Sequence, residues 1–154
     1  MLVDKIDPIQ IINNLNTEAF MDWGEDFSFD DLFKKPDLHN ERYKAAFVKR
    51  YKPYKNNNIA RELFGDRVTN FIVYPPYGGM SWHTNGPKKS KRMYISWSED
   101  GNSGMSWYDT EKDELIVDQD DQGWNVRFFD IPTWHCVWSK CYRLAIGYNV
   151  MREV

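Results

Sequence analysis

Apolar and polar positions follow one period before residue 67 and another after it. Ile9, Ile12 and Leu15 recur at helical spacing, and the stretch ahead of them reads as a helix start. Asp7 can cap, Pro8 suits the first helical position, and Gln10 is placed to reach back, so a helix is predicted to about Phe20. Residues Asp22 to Lys35 mix Gly24 and aspartates with Trp23, Phe27, Phe29 and Phe33, which predicts an irregular segment whose rings pin it to a core. Tyr43, Phe47 and Tyr51 predict a second helix over about Leu38 to Tyr51, ended by Pro53. Asn57 or Asn58 would cap a short third helix carrying Ile59, Leu63 and Phe64, with Gly65 as its stop.

From Val68 onward the pattern predicts strands. Phe71 to Tyr74 alternate with period two, Pro75-Pro76 must end the ladder because neither has an N–H to donate, and Gly78-Gly79 can redirect the chain before Met80-Ser81-Trp82-His83 resumes an extended course. Six further strands are bounded by turn residues: Arg92 to Ser98, Gly104 to Asp109, Glu114 to Asp118, Trp124 to Ile131, Thr133 to Trp138 and Tyr142 to Val150. About eight short strands after a helical third predict a mainly β fold, a closed or sandwiched antiparallel sheet with helices over one outer face. The expected organisation is one domain, with residues 1–66 as helical support and 67–154 as β core.

Composition narrows this only modestly. The 154 residues are 16% aromatic, which favours strands around a concave interior. A net charge of −3 argues against nucleic acid as an obligate partner. No apolar run approaches the roughly 20 residues of a membrane helix, and MLVDKIDPIQ lacks the character of a signal peptide, so no membrane association and a cytoplasmic location are expected. Cys136 and Cys141 flank what reads as one hairpin and are expected to be free thiols. The acidic run Asp118, Asp120, Asp121 lacks the glycine and terminal glutamate of a calcium loop and is expected to be a solvated connection.

The candidate chemistry centres on two of the three histidines. His39 reads as surface. His83 and Asn85 stand two apart, so on a strand both would face one way. Asn85-Gly86 is equally a strong hairpin signal, which leaves a turn role for Asn85 open. His135 lies in Thr133-Trp134-His135-Cys136-Val137-Trp138, and Arg143 follows eight residues later on the returning strand. An arginine among Leu144, Ala145 and Ile146 is costly to bury without an anion, so a carboxylate from protein or ligand should pair with it; Asp130 is a protein candidate. Lys88, Lys89, Lys91 and Arg92 form a basic run just after His83. It reads by default as a solvated loop, but at a pocket mouth it would attract acidic substrates.

From Phe71 to the C-terminus this pattern resembles the iron(II) and 2-oxoglutarate dependent oxygenases, nearest the prolyl hydroxylase-like branch. The resemblance implies a double-stranded β-helix, or jelly-roll, barrel. It implies that His83 is the first iron ligand, His135 the distal one, and Arg143 the partner of the far carboxylate of 2-oxoglutarate. Tyr94 and Ser96 resemble the hydroxyl donors that assist the keto acid. Asn85 stands where the family carries its acidic ligand. Asn offers a carbonyl oxygen without charge, so iron(II) binding and catalysis should be weakened; Asp109 is the alternative third ligand. The implied activity is hydroxylation of a protein or small molecule with Fe(II) and 2-oxoglutarate. The alternatives are a noncatalytic jelly-roll module that keeps the pocket for binding, and, less favoured, a cupin-type metalloprotein. The nucleic-acid demethylating branch is disfavoured because Asn149 stands where that branch has a second arginine.

Overall fold

The computed structural model describes residues 2–14, 28–39, 49–50, 52–53, 61–62 and 65–152. A 3-10 turn over Leu2–Lys5 leads into the short helix α1, Pro8–Asn13, where the Asp7 carboxylate accepts from the Gln10 N–H as a helix cap should. Ten strands follow: β1 Lys49–Arg50, β2 Lys52–Pro53, β3 Val68–Tyr74, β4 Gly78–His83, β5 Ser90–Ser98, β6 Ser103–Asp109, β7 Glu114–Gln119, β8 Gly123–Ile131, β9 Trp134–Ser139 and β10 Arg143–Arg152. They form two antiparallel five-stranded sheets, ordered β1-β4-β9-β6-β7 and β2-β3-β10-β5-β8. The protein is mainly β, in an arrangement consistent with a β-sandwich.

Three apolar layers hold it together. Between the sheets lie Ile72, Tyr74, Phe129, Ile131 and Ala145 from the second sheet and Met105 and Val137 from the first. The outer face of the second sheet carries Phe71, Val73, Ile95, Leu144 and Ile146, roofed by Val3, Ile6 and the α1 residues Ile11 and Ile12. The outer face of the first sheet carries Trp82, Cys136 and Trp138 under a 3-10 segment, Phe29–Phe33, whose Leu32 is buried. Each such side chain contributes roughly 1.5–3 kcal/mol on burial. Both outer faces are therefore covered in part, not the one expected, because the Phe29–Phe33 segment is itself apolar enough to dock.

The predicted strands agree with the observed ones to within a residue or two, and the early helices agree less well. Lys49–Arg50 and Lys52–Pro53 are strands paired with β4 and β3, so the helix expected to reach Tyr51 does not. Helical spacing of aromatics did not outweigh the hydrogen-bonding edges that β3 and β4 offer. Arg61 and Glu62 are helical, and Gly65, at φ 80°, donates to the Arg61 carbonyl, as its predicted role as a stop requires. Leu15, Trp23, Phe27, Tyr43, Phe47, Ile59, Leu63 and Phe64 lie outside the described residues. His39 is exposed as expected, and no helix among the described residues is long and apolar enough to cross a membrane.

Two local expectations are corrected. β9 and β10 do not form a hairpin: β9 pairs with β4 and β6, β10 with β3 and β5, so the chain changes sheet at Lys140 to Tyr142. Likewise β4 and β5 belong to different sheets, so Asn85-Gly86 does not close a two-residue hairpin. Both residues nevertheless take positive φ, 68° and 99°.

Candidate functional site

The site is set by a bulge. Along β4, Gly79 faces Trp138 and Met80 faces Val137, after which the register shifts so that His83 faces His135. β4 thus spends one more residue than β9 over this interval. A strand of strict period two would place Met80 and Trp82 on one face. The extra residue instead turns Trp82 outward, where its indole N–H donates to the Lys34 carbonyl at 3.0 Å, and sends His83 to the inner face with Met80. Gly79 allows the close approach this needs, since a Cβ there would run into the Val137 carbonyl and the Leu32 side chain.

His83 and His135 are register partners with ring centroids 4.2 Å apart, and both are almost fully buried. Each uses Nδ1 on a carbonyl two residues earlier, His83 on Ser81 and His135 on Thr133, both at 2.6 Å. With Nδ1–H donating, each Nε2 carries the lone pair. Burial pushes the His83 pKa down to about 4, the Arg92 charge adds to this, and the Ser81 carbonyl opposes it. Burial first, then neighbouring His83, hold His135 well below the usual histidine value. Both imidazoles are therefore neutral at physiological pH, the form in which a histidine binds a metal.

Asn85 has left the strand, but its amide reaches the same point. Its Nδ2 lies 3.2 Å from His135 Nε2 and 3.2 Å from the Tyr94 hydroxyl. Rotation of that amide exchanges Oδ1 for Nδ2 at this position. Phe129 stacks on Tyr94 with centroids 4.9 Å apart and touches His135, closing one side. The cavity, about 30 Å³, is lined by His83, Asn85, His135, Tyr94 and Arg143 with apolar walls that include Ile72, Met105 and Val137. That suits one or two waters and is far less than a dicarboxylic acid needs.

Arg143 does reach the cavity wall, but its partner is a protein carboxylate. Its Nε donates to Asp120 at 2.8 Å, with 1% of the arginine side chain and none of the aspartate side chain exposed. Asp120 also accepts from Ser103 at 2.6 Å and from Arg127, which in turn binds Asp118. Burial raises the Asp120 pKa, but the Arg143 charge and these hydrogen bonds outweigh it and hold it at about 2. The solvated acidic loop expected from Asp118, Asp120 and Asp121 is thus corrected at its centre: Asp120 is buried because two arginines need it. Asp130, the partner suggested for Arg143, is exposed.

The remaining candidates divide. Tyr94 lines the cavity, with its pKa raised by burial against the pull of Arg92. Ser96 is buried on the same inner face, its Oγ without a hydrogen-bond partner. Asp109 uses its carboxylate to accept the Glu111 and Lys112 amides of the next turn, away from the histidines. Among the described residues no group of three or more His, Cys, Asp or Glu comes together to hold a metal, and the side-chain oxygens that line the cavity beside the histidine pair belong to Asn85 and Tyr94. Cys136 and Cys141 are free and buried, and burial pushes the Cys136 thiol upward. Phe129 and the bulge were not singled out in the sequence, and Asp120 stood there only as part of an acidic run read as solvated.

No protein-family model matches the chain, and no curated protein matches it. Among solved structures it is similar to Peruvianin-I, a cysteine peptidase from Thevetia peruviana latex, at 17% identity over 91% of this chain and 93% of that one, with a TM-score of 0.37. A likeness at that level bears on neither the fold nor the site.

Proposed function

We propose that the protein is an iron(II)-dependent oxygenase that uses 2-oxoglutarate as cosubstrate, with His83, His135 and Asn85 holding the metal. The observation that carries this reading is the pair of neutral, register-matched imidazoles with Nδ1 fixed on carbonyls and an amide side chain at the Nε2 of one of them. Backbone fixing of Nδ1 is the second-sphere support that metal-binding histidines use. The strand order supports a jelly roll: from β3 to β10 the chain changes sheet at every connection except the β6–β7 hairpin.

The residues fit the metal. When bound, iron with the keto acid and oxygen would supply the oxidant that hydroxylates a C–H bond. The chain's own part is to present two neutral nitrogens and an amide oxygen, to keep bulk water out with Ile72, Met105, Phe129 and Val137, and to offer the Tyr94 and Ser96 hydroxyls on the second sheet. The keto acid fits less readily. Arg143 is shared with Asp120, and the cavity must enlarge to admit a diacid. These two features favour a second reading, a noncatalytic jelly roll that retains the pocket.

Anaerobic titration with iron(II) and then 2-oxoglutarate separates the two. The enzyme reading expects a visible charge-transfer band from the chelate and its loss in His135→Ala. Iron binding without any band on adding the keto acid would support the noncatalytic module, and no iron binding would sink the metal centre.

A further inference from the structure

Arg92, Arg127 and Arg143 all lie on the inner face of the second sheet, in register with Asn149, Tyr94 and Ser98 respectively. Two have carboxylates: Arg143 binds Asp120, and Arg127 binds Asp118 and Asp120. Among the described residues no carboxylate pairs with Arg92; its side chain donates to the Tyr94 hydroxyl, while its Nε is buried without a hydrogen-bond partner. Directly across the ladder, Asn149 is 6% exposed and its Oδ1 is buried without a partner. An unpaired donor and an unpaired acceptor thus sit on register partners of the same face, and each is costly while unsatisfied. Tyr94, two residues along β5 on the same face, edges the cavity, and the Arg92 charge is felt at both histidines. The exposed Lys88 and Lys89, in the segment that leads into β5, add positive charge at this end of the sheet.

We propose that Arg92 and Asn149 form a substrate subsite at the rim of the candidate metal centre, and that it takes a carboxylate carrying an N–H or O–H donor on the adjoining atom. Arg92 takes the carboxylate, and Asn149 Oδ1 accepts the neighbouring donor. The acceptor decides the class of anion: the dianion of a phosphate monoester has no proton to offer Asn149 and would set an oxygen against it, whereas an N-acyl amino acid or a peptide C-terminus satisfies both groups. This deepens the oxygenase reading and rests on it for the role of the bound acid as substrate, although the binding itself needs no metal.

The test uses ¹⁵N-labelled protein without metal and N-acetylglycine as probe, read at the Arg92 Nε–H and Asn149 side-chain amide resonances. N-acetylglycine should shift both, and N-acetylglycinamide, which lacks the carboxylate, should shift neither. Arg92→Gln should weaken binding by about ten- to a hundredfold, the loss of one charge-assisted contact. Asn149→Asp should abolish it, because the new carboxylate occupies the guanidinium. No binding to wild type, unchanged affinity in Arg92→Gln, or displacement by equimolar methyl phosphate at pH 8, where that ester is a proton-free dianion, would overturn the subsite. 2-Oxoglutarate provides the arm for the cosubstrate: if it displaces N-acetylglycine from Arg92, the carboxylate bound there is the cosubstrate's and the substrate assignment fails. The iron titration described above fails independently of these results, so loss of the metal reading and loss of the subsite are distinguishable.

Discussion

Replacing Asp120 by Asn tests how the inner face of the second sheet is held. The carboxylate has no exposed side-chain surface and receives Arg143, Arg127 and Ser103, so the variant keeps an acceptor oxygen but leaves a 1%-exposed guanidinium without a counter-charge. Removing one partner of a buried ion pair costs about 3–5 kcal/mol. Against a total stability of about 5–15 kcal/mol for a domain of this kind, that is a fifth or more, so the measurement belongs at low temperature. Urea unfolding followed by tryptophan fluorescence and circular dichroism gives the difference. Acid should shrink it. With its pKa held at about 2 against an ordinary 3.8, Asp120 contributes about 2–3 kcal/mol that is fully present above the ordinary value and lost as pH falls through 2. The variant has no such contribution to lose, so the gap should narrow below pH 4. A variant within about 1 kcal/mol of wild type at neutral pH would show that Arg143 does not depend on Asp120.

Three further outcomes are expected. Asn85→Asp should raise iron(II) affinity by roughly tenfold in an anaerobic competition titration, about 1.4 kcal/mol; equal affinity would remove Asn85 from the ligand set. Because His83 titrates near pH 4 in the folded protein and near 6.5 when unfolded, the metal-free protein should lose about 3 kcal/mol from this residue as pH falls from 6.5 to 4. Iron binding should stay level between pH 7 and 5, and an unfolding series against pH together with metal titrations would show a fall beginning at pH 6.5 if the imidazole is not shielded. Gly79→Ala should destabilise by at least 1–3 kcal/mol in urea unfolding, since its Cβ meets backbone that cannot move aside; a neutral change would mean that β4 and β9 can separate without cost.

The strands were legible because Pro75-Pro76, Gly78-Gly79, Gly101, Gly123 and Pro132 punctuate them, and alternation then tells which residues share a face. Alternation does not tell which strand is a neighbour. Neighbours in sequence such as β9 and β10 therefore looked like a hairpin, although His135 and Arg143 do share a cavity from opposite sheets. The histidine pair was legible by residue type, but its delivery through a bulge was not, since Ser81-Trp82 carries no glycine or proline to mark an irregularity. The burial of Asp120 was hidden for a different reason. A charged residue in an acidic run looks solvated until its partner, 23 positions away, is brought against it.

The left-handed backbone at Asn85 has a consequence for how this site can change by descent. A φ of 68° is easy for glycine, asparagine and aspartate and unfavourable for most other side chains, so the conformation narrows what position 85 can become. Glycine would leave the histidines alone, and aspartate would supply a charge without disturbing the loop. Asparagine and aspartate codons differ by one nucleotide. The chain therefore stands a single mutation from a carboxylate-bearing centre, and whichever residue a lineage carries at this position can be exchanged for the other without rebuilding the fold around it.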